Sequence, residues 1–230
     1  MDEHAQHWLH LLSAPVAALN GASFTAPEYY EDEDKADLER GWGIGNRAQL
    51  LDALGMADRG HALELADAYW QYERCLPLQW QRRLAELSPR ERIKYEYAAR
   101  TYPDCGPGGI RAWDLARMSF LLRNGVKKAY LSREESLWLH YRLALRARHY
   151  YDGWDGYIAG YLVGKALWNA SECSDDQLQA ELQRQGSEHW NRCIALNLRL
   201  GAEQWFVDVP WDTRLSEPER PHTLEEDCWS

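Results

Sequence analysis

The sequence predicts a mainly α-helical, compact multi-helix domain with at most a small strand element. Three observations lead there. Three stretches carry the signature of a helix start, a serine followed three residues later by Glu or Gln. Apolar residues recur at spacings of three and four over long stretches. No run of useful length alternates with period two, as a half-buried strand would. With 230 residues, 45% of them hydrophobic and 27% charged, the chain has the length and composition to bury one sizeable core.

Taken in order, the first element is an amphipathic helix using Trp8, Leu11, Leu12 and Val16. An acidic stretch over 26–41 reads as a solvated turn leading into a short helix that ends at Gly41. Asn46 is placed to cap a helix carrying Leu50, Leu51 and Leu54. Gly60 closes or bends that stretch. His61 then opens a segment running to Arg74, with Leu65, Ala68, Tyr69 and Tyr72 at helical spacing. Ser88-Pro89-Arg90-Glu91 combines an N-cap serine, a proline at the first helical position and a glutamate at the third. A Pro/Gly loop is expected over 103–109, then a helix over 110–124 closed by Gly125. Ser132-Arg133-Glu134-Glu135 and Ser174-Asp175-Asp176-Gln177 mark two further helix starts.

Between those two lies GWDGYIAGYLVGKALW, in which Gly156, Gly160 and Gly164 are spaced by four. A glycine inside a helix costs about 1 kcal/mol relative to alanine. Three on one face imply that another element approaches there at close backbone distance. The best candidate for a strand is the short Trp205–Val209. These boundaries divide the chain into an acidic N-terminal helical arm over 1–41, a helical core over 42–211 and an acidic, loosely held tail over 212–230.

Charge follows the same division. The net formal charge of −10 is concentrated at the ends: 1–40 carry −7, 203–230 carry −6, and 41–202 carry +3. A phosphate backbone needs a cationic surface, so nucleic acid is not an expected partner. The first residues are acidic and their apolar stretch is broken by His and Pro, which argues against a signal peptide or a membrane span. The five cysteines are scattered and form no C-x-x-C, so neither a disulfide framework nor a structural metal site is expected. A reducing, cytoplasmic setting fits. There is no H-E-x-x-H, Walker A, G-x-S-x-G or G-x-G-x-x-G motif, and no cofactor is expected.

Two features stand out chemically. The chain is tryptophan-rich, with 12 Trp and 13 Tyr against 3 Phe. Such rings build either a core or an aromatic-lined binding surface. Within the helix expected over 110–124, Trp113-Asp114-Leu115-Ala116-Arg117 places Asp114 and Arg117 three apart on one face, able to pair. Arg117, four residues from Trp113, is also within reach of that indole. Asp114 and Arg117 read either as a buried structural pair or as an anion-accepting pair with Arg117 as the receiver. His61, at a helix start, reads as a capping or core histidine, or as a base or ligand contact.

Trp42-Gly43-Ile44, Gly60-His61, Ala112 to Arg117, Gly125 with Tyr130-Leu131-Ser132 and Glu134-Glu135, Tyr150 to Trp154, Tyr161 with Gly164, and Pro210-Trp211 together resemble the DUF1266 family across 42–211. The Trp-Asp-x-x-Arg element before Tyr-Leu-Ser-x-Glu-Glu is the most specific part. The resemblance implies a bacterial protein and a mainly helical domain, and carries over no catalytic residue. The candidate ligand- or partner-binding residues are Trp42, His61, Trp113, Asp114, Arg117, Tyr151, Trp154, Tyr161 and Trp211. The first reading is a non-catalytic protein-interaction module, an adaptor or a toxin-neutralising protein, with a protein partner. The alternative is an enzyme or small-molecule binder whose pocket, around Trp-Asp-x-x-Arg and His61, takes a small anion.

Overall fold

In the computed structural model of the chain, 71% of the described residues are helical and none lies in a strand. The structure describes residues 1–30, 37–185, 189–225 and 228–229. The acidic run 31–36, read from sequence as a solvated turn, lies outside them. The chain divides into two compact units. The first comprises Met1–Asp58, Leu115–His149 and Cys193–Ser230; the second comprises Arg59–Asp114 and Tyr150–Arg192.

In the first unit, the helix Glu3–Leu11 begins where Asp2 accepts the Ala5 N–H at 2.8 Å. The carboxylate satisfies an amide that the first turn cannot, and its charge faces the positive helix end. Trp8, Leu9, Leu11 and Leu12 are fully buried, so this acidic N-terminal stretch supplies part of the unit's core. The helix Arg47–Ala53 is capped by Asn46 as its sequence suggests, with the Gln49 N–H bonded to the amide oxygen at 3.0 Å. At the start of the helix Arg133–Tyr150, Ser132 and Glu135 bond reciprocally. Beyond Pro210, Leu224 is buried and Thr223 donates to Glu135 at 2.6 Å.

Two boundaries differ from the sequence reading. The helix Arg111–Lys127 continues through Gly125 instead of ending at it. A Cβ at Gly125 would lie 2.5 Å from Leu50 Cδ2, so this glycine serves a close approach within the unit and not a helix stop. Trp205–Val209 is not a strand: Glu203–Asp208 is helical, and Val209 bonds back to the Trp205 carbonyl at 2.8 Å. A lone β-prone segment has no ladder partner, whereas a helical turn satisfies its own backbone.

The second unit is built on the helices Leu63–Arg74, Pro77–Glu86, Pro89–Cys105, Trp154–Ala170 and Asp175–Gln185. Its core joins Leu65 and Tyr69 of the first to Tyr97 and Ala98 of the third, Leu167 of the fourth and Leu178 and Leu182 of the last. Ser88 and Glu91 form the expected capping box. The helix they open runs on through Pro103 to Cys105, into the stretch expected as loop. Pro103 falls in its last turn, so the one N–H bond to a preceding carbonyl that it removes lies at the end of the ladder, two residues before the helix stops.

The glycine face is closed at two of its three positions. A Cβ on Gly160 would lie 2.5 Å from the Gly109 carbonyl oxygen and 2.6 Å from the Tyr151 hydroxyl. One on Gly164 would lie 2.4 Å from Trp113 Cβ. At Gly156 the nearest atoms are 3.7 and 4.0 Å away, ordinary packing distances.

Candidate functional site

The Trp-Asp-x-x-Arg element sits at the start of the helix Arg111–Lys127. Asp114 is completely buried, and its Oδ2 accepts the Ala62 N–H at 2.8 Å. Ala62 is the N-cap residue of the helix Leu63–Arg74 and offers no side-chain cap of its own. Asp114 supplies what the local sequence lacks: a carboxylate from 52 residues away at the positive end of a helix. His61 stands one residue earlier, with Nδ1 3.5 Å from Glu64 Oε1. Glu64 also bonds Lys94 at 2.8 Å. Burial pushes the Glu64 carboxyl up, but Lys94 and His61 outweigh it and hold the group below its ordinary value.

In the first unit, the Arg117 guanidinium lies 4.5 Å from the Trp42 ring centroid. Trp42 neighbours Phe120 at 6.0 Å, and Phe120 meets Tyr29 edge to face at 4.8 Å. Arg123 lies 5.0 Å over Tyr29, so a row of three rings has a cation at each end. Trp211 belongs to another cluster. Its ring is 5.1 Å from Trp8, its carbonyl accepts the Trp8 indole N–H at 3.0 Å, and Arg148 donates to the same carbonyl at 2.7 Å.

The remaining candidates lie in the second unit. Trp113 packs on Tyr161 at 5.1 Å and on Trp168 at 5.8 Å. Tyr151 is buried, donates its hydroxyl to the Gly109 carbonyl at 2.8 Å and accepts the Ala112 N–H at 2.8 Å. Tyr157 touches both Tyr151, at 5.5 Å, and Trp154, at 6.1 Å. The structure therefore brings together Trp113 with Tyr161, Tyr151 with Trp154 through Tyr157, His61 with Asp114 through Ala62, and Trp42 with Arg117.

Three features were missed in the sequence. Arg123 is fully buried and donates to Ala26 O at 3.0 Å, Ser13 Oγ at 2.8 Å and Ser23 O at 2.7 Å. Burial lowers it to about 10, so it stays charged at neutral pH. Nearby, the His10 and His140 rings meet edge to face at 5.3 Å. Burial pushes His140 down to about 3, and burial together with His140 and Arg123 pushes His10 well below the ordinary imidazole value. Both rings are therefore neutral at pH 7. These partners come from elements far apart in sequence, which local spacing does not reveal.

The third feature is the turn between Leu63–Arg74 and Pro77–Glu86. Here a cavity of about 410 Å³ is lined by Tyr72, Glu73, Cys75, Pro77, Trp80, Gln81 and Tyr102. Pro77 at a first helical position, with the Gln79 side chain accepting the Leu76 N–H at 2.9 Å, was the available signal for the second helix. Two further cavities lie in the first unit. One of about 70 Å³ is lined by residues that include His10, Arg133 and Ser136, and one of about 720 Å³ by residues that include Arg47, Tyr130 and Glu135. None of the nine sequence candidates lines any of these three. Among the described residues no group of three or more His, Cys, Asp or Glu is placed to hold a metal ion, and no helix is long and apolar enough to cross a membrane.

These helices and clusters lie on a stretch with a known pattern: residues 37–211 match the family model described as a protein of unknown function, DUF1266. The chain belongs to that family. It is similar to two proteins of Escherichia coli strain K12. Uncharacterized protein YbeU is 35% identical over 231 residues, and uncharacterized protein YbeR is 41% identical over 233, each match covering 98% of both chains. No solved structure matches the chain.

Proposed function

We propose that this protein is a non-catalytic interaction module that engages a protein partner through the second unit, at the turn joining Leu63–Arg74 to Pro77–Glu86. The observation that carries the reading is an exposed apolar group there. Trp70, Leu76 and Leu78 are 59%, 67% and 64% exposed within nine residues of sequence. Single exposed apolar side chains are ordinary, but three so close in sequence, beside an aromatic-lined cavity, make the kind of exposed apolar surface that marks an interaction site, and tryptophan is a residue type enriched at interface centres. Arg74 lies over the Trp70 ring at 3.3 Å and adds the residue type most often found there with Trp.

The fate of the sequence candidates supports the same reading. Asp114 caps a helix, the Tyr151 hydroxyl joins two backbone groups, and Trp113 fills the space over Gly164. Each of these three has contacts within the second unit that a structural role would use. The test is affinity capture with the intact protein from its native host, scoring bound proteins and bound metabolites separately. A protein recovered in stoichiometric amount is the expected result. Recovery of a small anion with no protein would favour the enzyme or small-molecule reading and overturn this one.

A further inference from the structure

We propose that the cavity lined by Tyr72, Trp80 and Tyr102 is a binding site for an alkylated ammonium group. This goes beyond the interaction reading, because the site would serve a free metabolite as well as a side chain of a partner. Tyr72 stands edge to face with Trp80 at 5.1 Å and 75°, and with Tyr102 at 5.2 Å and 61°. All three rings line the cavity, with Tyr72 at a steep angle to each of the other two. Trp80 is itself stacked on Tyr95 at 5.6 Å and 21°, which fixes its plane. Three aromatic side chains in one cavity lining offer π surface to a ligand, and a cation is what the face of such a ring attracts.

The rest of the lining narrows the ligand. Pro77 and Cys75 add apolar wall, which favours a cation clothed in methyl groups over a bare ammonium that would have to shed tightly held water. Glu73 adds a carboxylate at the cavity. A neutral apolar ligand of the same shape gains nothing from that charge; a quaternary ammonium does. Arg74 pairs with Glu73 and lies over Trp70, so a cation of the protein itself already shares this carboxylate. Arg74 is then a competitor for Glu73, and its removal has an effect opposite to that of removing Glu73.

The experiment is calorimetric titration of the full chain with choline, with its neutral carbon isostere 3,3-dimethylbutan-1-ol, and with a short peptide carrying trimethyl-lysine. The expected result is that choline or the peptide binds and the neutral isostere binds at least about tenfold more weakly. Tighter binding of choline assigns the site to a free metabolite; tighter binding of the peptide assigns it to a protein-borne group. Glu73→Gln should weaken the cation several-fold and Arg74→Gln should strengthen it, and both changes are at exposed positions. Tyr102→Leu should abolish binding. Should that variant fold poorly, the opposite signs at positions 73 and 74 still decide the matter. Equal affinity for the isostere, no binding of either cation, or no effect of the two charge variants would overturn the proposal. Failure here with a protein still captured would leave the interaction reading standing.

Discussion

The carboxylate of Asp114 accepts the backbone N–H of Ala62 at 2.8 Å, joining the most distinctive sequence element of the chain to the start of the helix Leu63–Arg74. Both residues are buried, so water cannot replace either partner. Asp114→Asn keeps an oxygen acceptor but loses the charge at the helix end, and should cost about 1 kcal/mol. Asp114→Leu leaves the amide unsatisfied and should cost about 1–3 kcal/mol more. Urea midpoints of the two variants test the order. A leucine variant as stable as the parent would show that the bond contributes nothing.

Alanine substitutions along the glycine face should differ in sign. Gly160→Ala drives a methyl into the Gly109 carbonyl, which is backbone and yields little, and should destabilise by about 1–3 kcal/mol. Gly156→Ala meets only ordinary contacts and should be neutral or stabilising by up to about 1 kcal/mol. Thermal midpoints of the two single variants provide the comparison. Equal destabilisation at both positions would mean that the spacing, not the close approach, sets the cost.

The buried histidines make stability depend on acid. His140 is lowered to about 3 and His10 well below its ordinary value, both first by burial. In the unfolded chain each takes up a proton below about pH 6.5. A depressed base favours folding above the unfolded value, and that advantage is lost as pH falls through it, toward about 3 for His140. Between pH 7 and 5.5 the loss should be roughly 1 kcal/mol per histidine. Urea unfolding at both pH values should show a smaller pH effect in His140→Gln than in the parent. An identical effect in both would place the dependence elsewhere.

What was legible in the sequence was local. Ser88 with Glu91, and Ser132 with Glu135, announce helix starts because both partners of each cap lie within one turn. The glycines at 160 and 164 were legible because a repeated energetic cost needs a reason. Gly125 was misread as a stop because the neighbour that requires it, Leu50, comes from another part of the chain. Arg123 gave no signal, since its acceptors at Ser13, Ser23 and Ala26 lie about a hundred residues away. The aromatic cavity was hidden for a related reason: Tyr72, Trp80 and Tyr102 sit on three different helices, and the middle one starts at an unremarked Leu76-Pro77.

The central claim is that the exposed turn around Trp70 and Leu78 is where the protein meets its partner, while the Trp-Asp-x-x-Arg element holds the fold. The most direct measurement is capture of the native partner by the double variant Trp70→Ser with Leu78→Ser, alongside the parent at matched concentration. Both side chains are more than half exposed, so thermal midpoints should agree to within a few degrees. The expected result is loss of the partner from a variant that remains folded. Full retention of the partner by that folded variant would contradict the claim.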